Sequence, residues 1–117
     1  MKVEVYWNLR KDCYSVRSLE GENKGRVVKH TNKLFLKDVK FVVQEGGRKR
    51  VLKEKSKNVH AFIRGTISKN RKITGKSITY NPYKYSTFVR REDQKSIFSA
   101  HFAKLLVKNQ KEFIIAG

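Results

Sequence analysis

The chain has 117 residues and a formal net charge of +18, with 28 Lys and Arg residues against 10 Asp and Glu residues. This length suits one domain with its own core, and the 7 Phe, 5 Tyr and 1 Trp residues spread along it argue against a disordered basic tail. A single cysteine, Cys13, excludes an intramolecular disulfide and a cysteine-based zinc site, and no apolar stretch approaches the length of a membrane span.

The first third of the chain is predicted to form strands. Apolar and polar residues alternate with a period of two in residues 2–8 and 13–18, and the polar connection between them is short, so these stretches predict a hairpin. Residues 19–25 (LEGENKG) predict a turn, and residues 26–30 and 34–43 predict two more strands. Four consecutive strands with short connections predict an antiparallel meander.

The pattern changes after Gly47. Residues 48–57 (RKRVLKEKSK) contain good helix formers and predict a short, mostly solvated helix. Residues 59–67 return to the composition of a strand, and residues 68–76 predict a basic loop. Another strand is expected around Ile78 and is broken at Pro82.

The carboxy-terminal segment shows helical spacing. Its apolar positions recur at intervals of one, three and four, which predicts a helix over residues 94–106. Asn109 and Gln110 predict a tight connection into a final strand at residues 113–115. The expected architecture is therefore one α+β domain, residues 1–117, with a mainly antiparallel sheet and two short helices.

Positive charge is concentrated in the later part of the chain. Residues 46–117 hold 18 Lys and Arg against 4 Asp and Glu, whereas residues 1–45 hold 10 against 6. Two clusters of cations account for much of this excess: Arg48, Lys49, Arg50, Lys53, Lys55 and Lys57, and then Lys69, Arg71, Lys72 and Lys76. Such a field attracts polyanions, although lysine-rich surfaces also simply maintain solubility.

Aromatic residues lie among later cations. The segment YNPYKYSTF (80–88) carries Tyr83 and Tyr85 and is followed by Arg90 and Arg91. Aromatic faces stack on bases while cations contact phosphates, which is typical of single-strand binding. The alternative is that the tyrosines pack a loop onto the sheet.

The histidines give a weaker signal for catalysis. A metal-independent ribonuclease needs an acid, a base and a cation, and His60, His30, Lys29 and Arg64 include these residue types. His60 is the one catalytic candidate, but a histidine on the polar side of a strand is commonly an ordinary surface residue. The spacing of His30, His60 and His101 does not match a metal site, so neither metal nor cofactor is expected.

Four stretches carry a resemblance to a known family. MKVEVYWNL (1–9), GRVVKHT (25–31), KNVHAFIRG (57–65) and YNPYKYSTF (80–88) resemble a family of small uncharacterised proteins of tailed bacteriophages. The resemblance implies a phage setting and hence the cytoplasm of a bacterial host. It also implies that small antagonists of host machinery are among the functions to consider.

Three functional hypotheses follow. The first is a non-enzymatic protein that binds DNA or RNA through its basic surface. It would use the cations Arg48, Lys49, Arg50, Lys53, Lys55, Lys69, Arg71, Lys72, Lys76, Arg90 and Arg91 and the aromatic residues Tyr83 and Tyr85. The second is an antagonist that binds and inhibits a host protein or defence complex, and the third is a metal-independent ribonuclease using His60. No membrane partner is expected.

Overall fold

One antiparallel sheet and one helix make up the regular structure of the described residues. The computed structural model describes residues 1–8, 10–55, 59–69, 75–107 and 111–116, with backbone alone at 107 and 111–116. The strands are β1 (Lys2–Asn8), β2 (Cys13–Ser18), β3 (Val27–Thr31), β4 (Lys33–Val43), β5 (Ala61–Ile67), β6 (Lys76–Thr79), β7 (Val89–Arg90), β8 (Ser99–Val107) and β9 (Lys111–Ala116), and the helix is α1 (Glu45–Glu54). Within these ranges the nine strands form one sheet in the order β3-β2-β1-β5-β4-β8-β9-β6-β7. The predicted α+β class with a mainly antiparallel sheet is confirmed.

The amino-terminal hairpin forms as predicted. β1 pairs with β2 from Val3↔Ser18 to Asn8↔Cys13. At its tip the Asn8 side-chain oxygen accepts hydrogen bonds from the backbone amides of Arg10 and Lys11, both at 3.0 Å. The predicted turn over residues 19–25 is also present, and it places β3 beside β2.

The prediction of a four-strand meander is wrong at its last strand. β4 does not pair with β3; it pairs with β5 on one side and β8 on the other. β3 is exposed along almost its whole length and forms an edge of the sheet. β4 instead buries five of its 11 residues, all of them apolar, and a strand with so many buried residues needs partners on both sides.

The prediction of a helix over residues 94–106 is wrong, because residues 99–107 form β8. The neighbouring strand β4 is irregular, since Asp38 has a positive φ of 52° beside a bulge against β5. On β4 the residues in the core cluster therefore change from Leu34 and Leu36 to Val39 and Phe41. β8 follows the same change, with buried Ala103 opposite Leu36 and buried Ala100 opposite Val39. The helical spacing itself came from other residues, which do not share one buried face: Leu105 is buried opposite Leu34, whereas Phe98 and His101 are exposed.

Helix α1 lies between β4 and β5 in the sequence, and it starts three residues before the predicted helix of residues 48–57. It ends at Glu54, followed by Lys55 in the left-handed conformation. The backbone amide of Gln44 donates to the His60 carbonyl oxygen at 2.7 Å, which joins the start of α1 to the residue before β5. Val51 is the one buried side chain of α1, so the helix is mostly solvated, as predicted.

The inner face of the sheet encloses one hydrophobic core. Its buried members are Val3, Val5, Tyr14, Val16, Leu34, Leu36, Val39, Phe41, Ile63, Ile78, Phe88, Ala100, Ala103 and Leu105. We call the opposite side the outer face. A cavity of about 50 Å³ in the core is lined by Val5, Tyr6, Trp7, Ala61, Ile63, Tyr80 and Phe88, which is far smaller than typical small-molecule pockets.

The carboxy-terminal half completes the sheet with short strands. The strand predicted around Ile78 is β6, and Pro82 follows it in a turn, as predicted. The predicted final strand is β9, which pairs with β8 and β6. The predicted connection at Asn109 and Gln110 lies outside the described residues. None of the described helical structure is long and apolar enough to cross a membrane.

Candidate nucleic-acid interface

Helix α1 presents a basic stripe to solvent. Lys49, Arg50 and Lys53 are exposed, and with Gly46 they occupy positions i, i+3, i+4 and i+7, which lie on one helix face. The opposite side of α1 packs on the protein through Val51, which is buried. Helical geometry and the burial of Val51 together direct three cations outward.

Arg48 connects α1 to the aromatic segment of residues 80–88. Its Nε donates a hydrogen bond to the backbone oxygen of Tyr85 at 3.0 Å, and its guanidinium pairs with Glu45 at 3.5 Å. The side chain of Arg48 is only 18% exposed. Arg48 therefore acts as a structural tie between two stretches that are 37 residues apart, and it is not available as a phosphate contact.

The aromatic segment forms a turn around Asn81 beside this tie. The Asn81 backbone oxygen accepts from the amides of Lys84 and Tyr85, and its side-chain oxygen accepts from the amide of Tyr83 at 2.9 Å. The Tyr83 side chain is 61% exposed and Lys84 is exposed, whereas Tyr85 is partly buried. We define Lys49, Arg50, Lys53, Tyr83 and Lys84 as the helix–loop surface. Two stretches selected separately from the sequence thus meet in one region.

Lys69 and Lys76 are the members of the second predicted cluster that the structure describes, and neither adds a free cation beside α1. Lys69 follows the far end of β5, while α1 is attached at its start; a strand of this length spans about 20 Å. Lys76 lies on β6 and pairs with Glu92 at 3.0 Å. Arg71 and Lys72, together with Lys57 of the first cluster, lie outside the described residues.

The remaining predicted cations differ in their surroundings. Arg90 is paired with Asp93, with Nε 3.1 Å from Oδ1. Burial acts to raise the pKa of Asp93. Hydrogen bonds from the Lys95 amide and the Arg90 side chain, together with the positive charges of Arg90 and Lys95, nevertheless hold the pKa of Asp93 below its usual value. Arg91 and Lys55 are exposed. Arg90 therefore has a local counter-ion that reduces its attraction for phosphate.

His60 is buried rather than on the surface, contrary to the expectation for a histidine on the polar side of a strand. It is 6% exposed, and its Nε2 lies 2.6 Å from the Tyr80 hydroxyl oxygen. Burial is the main cause that raises the pKa of Tyr80 to about 12, with Arg48 lowering it and Glu45 raising it by their charges. The pair joins the residue before β5 to the aromatic segment, which is a structural role.

The residues considered for a ribonuclease are not brought together. His30 lies on β3, three strands from β5 in the sheet, and its Nδ1 lies 2.8 Å from Ser15 Oγ. Arg64 lies on β5 and is bound to Glu4 at 2.7 Å. Lys29 is exposed on the edge strand β3. In the described part of the chain, no group of three or more His, Cys, Asp and Glu side chains could hold a metal ion.

The structure aligns a set of cations that were not predicted from the sequence to bind nucleic acid. The strand registers place Arg17, Arg64 and Lys40 on the outer face, in line with Glu4, across β2, β1, β5 and β4. Lys37 is an exposed neighbour on the adjacent line. The alternation of polar and apolar residues in the sequence assigns each of these cations to one face of its own strand. The order of β4 and β5 in the sheet is also needed to bring the cations into one line.

Comparison with known proteins gives a consistent result. The chain is 38% identical over 108 residues to "Gene 82 protein" of Mycobacterium phage L5, an alignment that covers 86% of this chain and 86% of that protein. No solved structure matches the present chain. A family model described as Mycobacterium phage L5 gene 82 protein matches residues 1–113. The resemblance to a family of small phage proteins is therefore confirmed, and the chain belongs to the Mycobacterium phage L5 gene 82 protein family.

Proposed function

We propose that this phage protein binds nucleic acid without catalysing a reaction, in the cytoplasm of the bacterial host, and that the helix–loop surface contacts the phosphates. The observation that carries the proposal is the hydrogen bond from Arg48 Nε to the Tyr85 oxygen. It fixes α1, which carries the basic stripe, to the segment that carries exposed Tyr83 and Lys84. Cations next to an exposed aromatic ring are the combination that binds a phosphate backbone and a base together.

The charge balance of this region supports the proposal. The side chains of Lys49, Arg50 and Lys53 form no ion pair within the described residues, and the acidic residues of α1 are Glu45, paired with Arg48, and Glu54 at its end. A surface with a net positive charge attracts polyanions, and both the association rate and the affinity fall as the salt concentration rises.

The test is a fluorescence anisotropy titration of labelled DNA and RNA oligonucleotides at two salt concentrations. For a single strand, each phosphate contact contributes about 0.7 to the slope of log affinity against log salt. The triple variant Lys49→Glu, Arg50→Glu, Lys53→Glu should therefore reduce the slope by about 2, and weaken binding by about 100-fold at 0.1 M salt.

A matched control separates a local site from a general effect of charge. The triple variant Lys11→Glu, Lys24→Glu, Lys29→Glu changes three exposed cations of the β1–β2 and β2–β3 region and lowers the net charge equally. We expect it to bind much more tightly than the α1 variant. Equal losses in the two variants would contradict the assignment of the site, and absent or salt-independent binding by the unaltered protein would contradict the function itself.

The alternative hypothesis, a host protein as the target, makes a different prediction. A host protein that stays bound to the tagged chain after nuclease treatment of the lysate, together with no oligonucleotide binding, would favour the antagonist. The ribonuclease hypothesis receives no support from the separated positions of His30, His60 and Arg64.

A further inference from the structure

We infer that the outer face of the sheet is a second binding surface, for the backbone of single-stranded nucleic acid, formed by Arg17, Arg64, Lys40 and Lys37. The inference rests on the proposed function, because it takes nucleic acid as the ligand class. It adds a site that lies on the sheet, separate from the helix–loop surface. We call these four residues the outer-face cations.

The strand registers place three of these side chains in one line. Glu4 on β1 is opposite Arg17 on β2 and Arg64 on β5, and Arg64 is opposite Lys40 on β4. Adjacent strands lie about 4.8 Å apart, so the line from Arg17 to Lys40 spans about 14 Å. Lys37 is opposite Thr66 in the adjacent line, which widens the cationic area.

One carboxylate is shared by the cations of this line. Glu4 is 5% exposed, and its oxygens lie 2.7 Å from Arg64 Nε and 3.8 Å from an Arg17 guanidinium nitrogen. Arg64 and Lys40 are like charges directly opposite one another, and Lys40 does not pair with Glu4, so Glu4 neutralises only part of the charge of this line. An external anion over Arg64 and Lys40 would supply a second counter-ion.

The outer-face cations remain accessible. The side chains of Arg17 and Arg64 are 34% and 45% exposed, and Lys37 and Lys40 are exposed. The carboxylate nearest to them in the chain, besides Glu4, is exposed Asp38 at the bulge of β4. The line as a whole therefore keeps an excess of positive charge toward solvent.

Aromatic rings hold one guanidinium in place. The Arg17 guanidinium carbon lies 5.5 Å from the centre of the Tyr6 ring and 5.9 Å from that of Phe62, while its nitrogen faces Glu4. A guanidinium fixed in this way is preorganised for phosphate, and its plane can stack on an unpaired base. A sheet face that presents such a group to solvent suits a single strand, whose bases are available for stacking.

The test compares a short labelled oligothymidylate with a labelled hairpin duplex. The double variant Lys37→Glu, Lys40→Glu changes the two outer-face cations that do not pair with Glu4, and Lys24→Glu, Lys29→Glu is the control with the same change in charge. At 0.1 M salt we expect the first variant to bind the oligothymidylate about 25-fold more weakly, with a slope against log salt lower by about 1.4. The control and the duplex should change much less.

The outcomes separate this inference from the proposed function. If the α1 triple variant loses affinity for the oligonucleotide but Lys37→Glu, Lys40→Glu loses no more affinity than its control, the outer-face site is overturned. The helix–loop surface is then still supported. An equal loss for the duplex overturns the preference for a single strand. If the unaltered protein binds neither the oligothymidylate nor the duplex, both proposals are overturned. Circular dichroism and thermal melting of each variant verify that the fold is retained.

Discussion

Replacement of Gly47 by alanine tests whether α1 is held where the structure places it. A Cβ atom added at Gly47 would lie 2.6 Å from the Cβ atom of His60, whereas one added at Gly46 would have no neighbour within 4 Å. Ordinary contacts of this type are 3.4–4 Å. The substitution therefore requires α1 to move by about 1 Å away from His60, against the hydrogen bond from the Gln44 amide to the His60 carbonyl oxygen.

The expected magnitudes have opposite signs at the two glycines. Alanine is favoured over glycine within a helix by about 0.5–1 kcal/mol, and both variants share this gain. Overpacking at Gly47 costs about 1–3 kcal/mol. Gly46→Ala should therefore be more stable than the unaltered protein, Gly47→Ala less stable, and the difference between the two variants should equal the steric cost.

Urea unfolding of the two variants, with equal dependence on denaturant, measures the difference directly. In a domain of this size 1 kcal/mol corresponds to about 4 °C in melting temperature, so thermal unfolding should separate the variants by about 4–12 °C. A Gly47→Ala protein as stable as Gly46→Ala would refute the close approach of α1 to His60. It would also remove the basis for the position of the basic stripe.

Three further predictions concern the outer face, the aromatic segment and the proposed site. Glu4→Gln should cost about 1–3 kcal/mol in urea unfolding, because it leaves two guanidinium groups without their shared carboxylate; an unchanged midpoint would count against that network. The pKa of Tyr80 is raised from 10.0 to about 12, so the contribution of this hydroxyl to folding stability is complete below pH 10 and is lost as pH rises through 12. Across this pH window the unaltered protein should therefore lose stability more steeply than the Tyr80→Phe variant. Parallel pH profiles of the two proteins would disprove this. Tyr83→Ala should weaken oligonucleotide binding by about tenfold at unchanged melting temperature, since stacking contributes about 1–3 kcal/mol per base, and unchanged binding would exclude Tyr83 from the site.

Local patterns predicted the strands well wherever one face was buried without interruption. In the amino-terminal hairpin the alternation of Val3 and Val5 with polar neighbours is carried directly into the register with β2. Helix α1 was also predictable, because its residues favour helices and its apolar content is low. The start of α1 at Glu45 was not predictable, because two consecutive glycines, Gly46 and Gly47, indicate a turn in the sequence. Only the structure shows the close approach of Gly47 to His60.

The helix over residues 94–106 was predicted wrongly because its apolar residues do not share one buried face: Leu105 is buried, whereas Phe98 is 65% exposed. β8 instead buries Ala100 and Ala103, which are opposite Val39 and Leu36 on either side of Asp38. The left-handed conformation of Asp38 has no strong local signal, since aspartate occurs in many other conformations as well. Sequence spacing alone therefore could not distinguish a bulged strand from a helix here.

The candidate site was predicted in part. Lys49, Arg50, Lys53 and Tyr83 were selected from composition, and the structure brings their two stretches together through Arg48. The outer-face cations were missed because β5 lies between β1 and β4 in the sheet, and a non-sequential strand order cannot be read from local alternation.

The single left-handed residue in β4 also affects how the chain can fold. Because the inward side of this strand switches at Asp38, sliding β4 by one position against β5 or β8 would turn Leu36 and Phe41 toward water and force Lys37 and Lys40 into the core. A shift by one position thus carries both penalties at once. A shift by two positions would set the change of inward side on β4 out of step with the matching change on β8, so the irregularity at Asp38 favours the native alignment of the central strands.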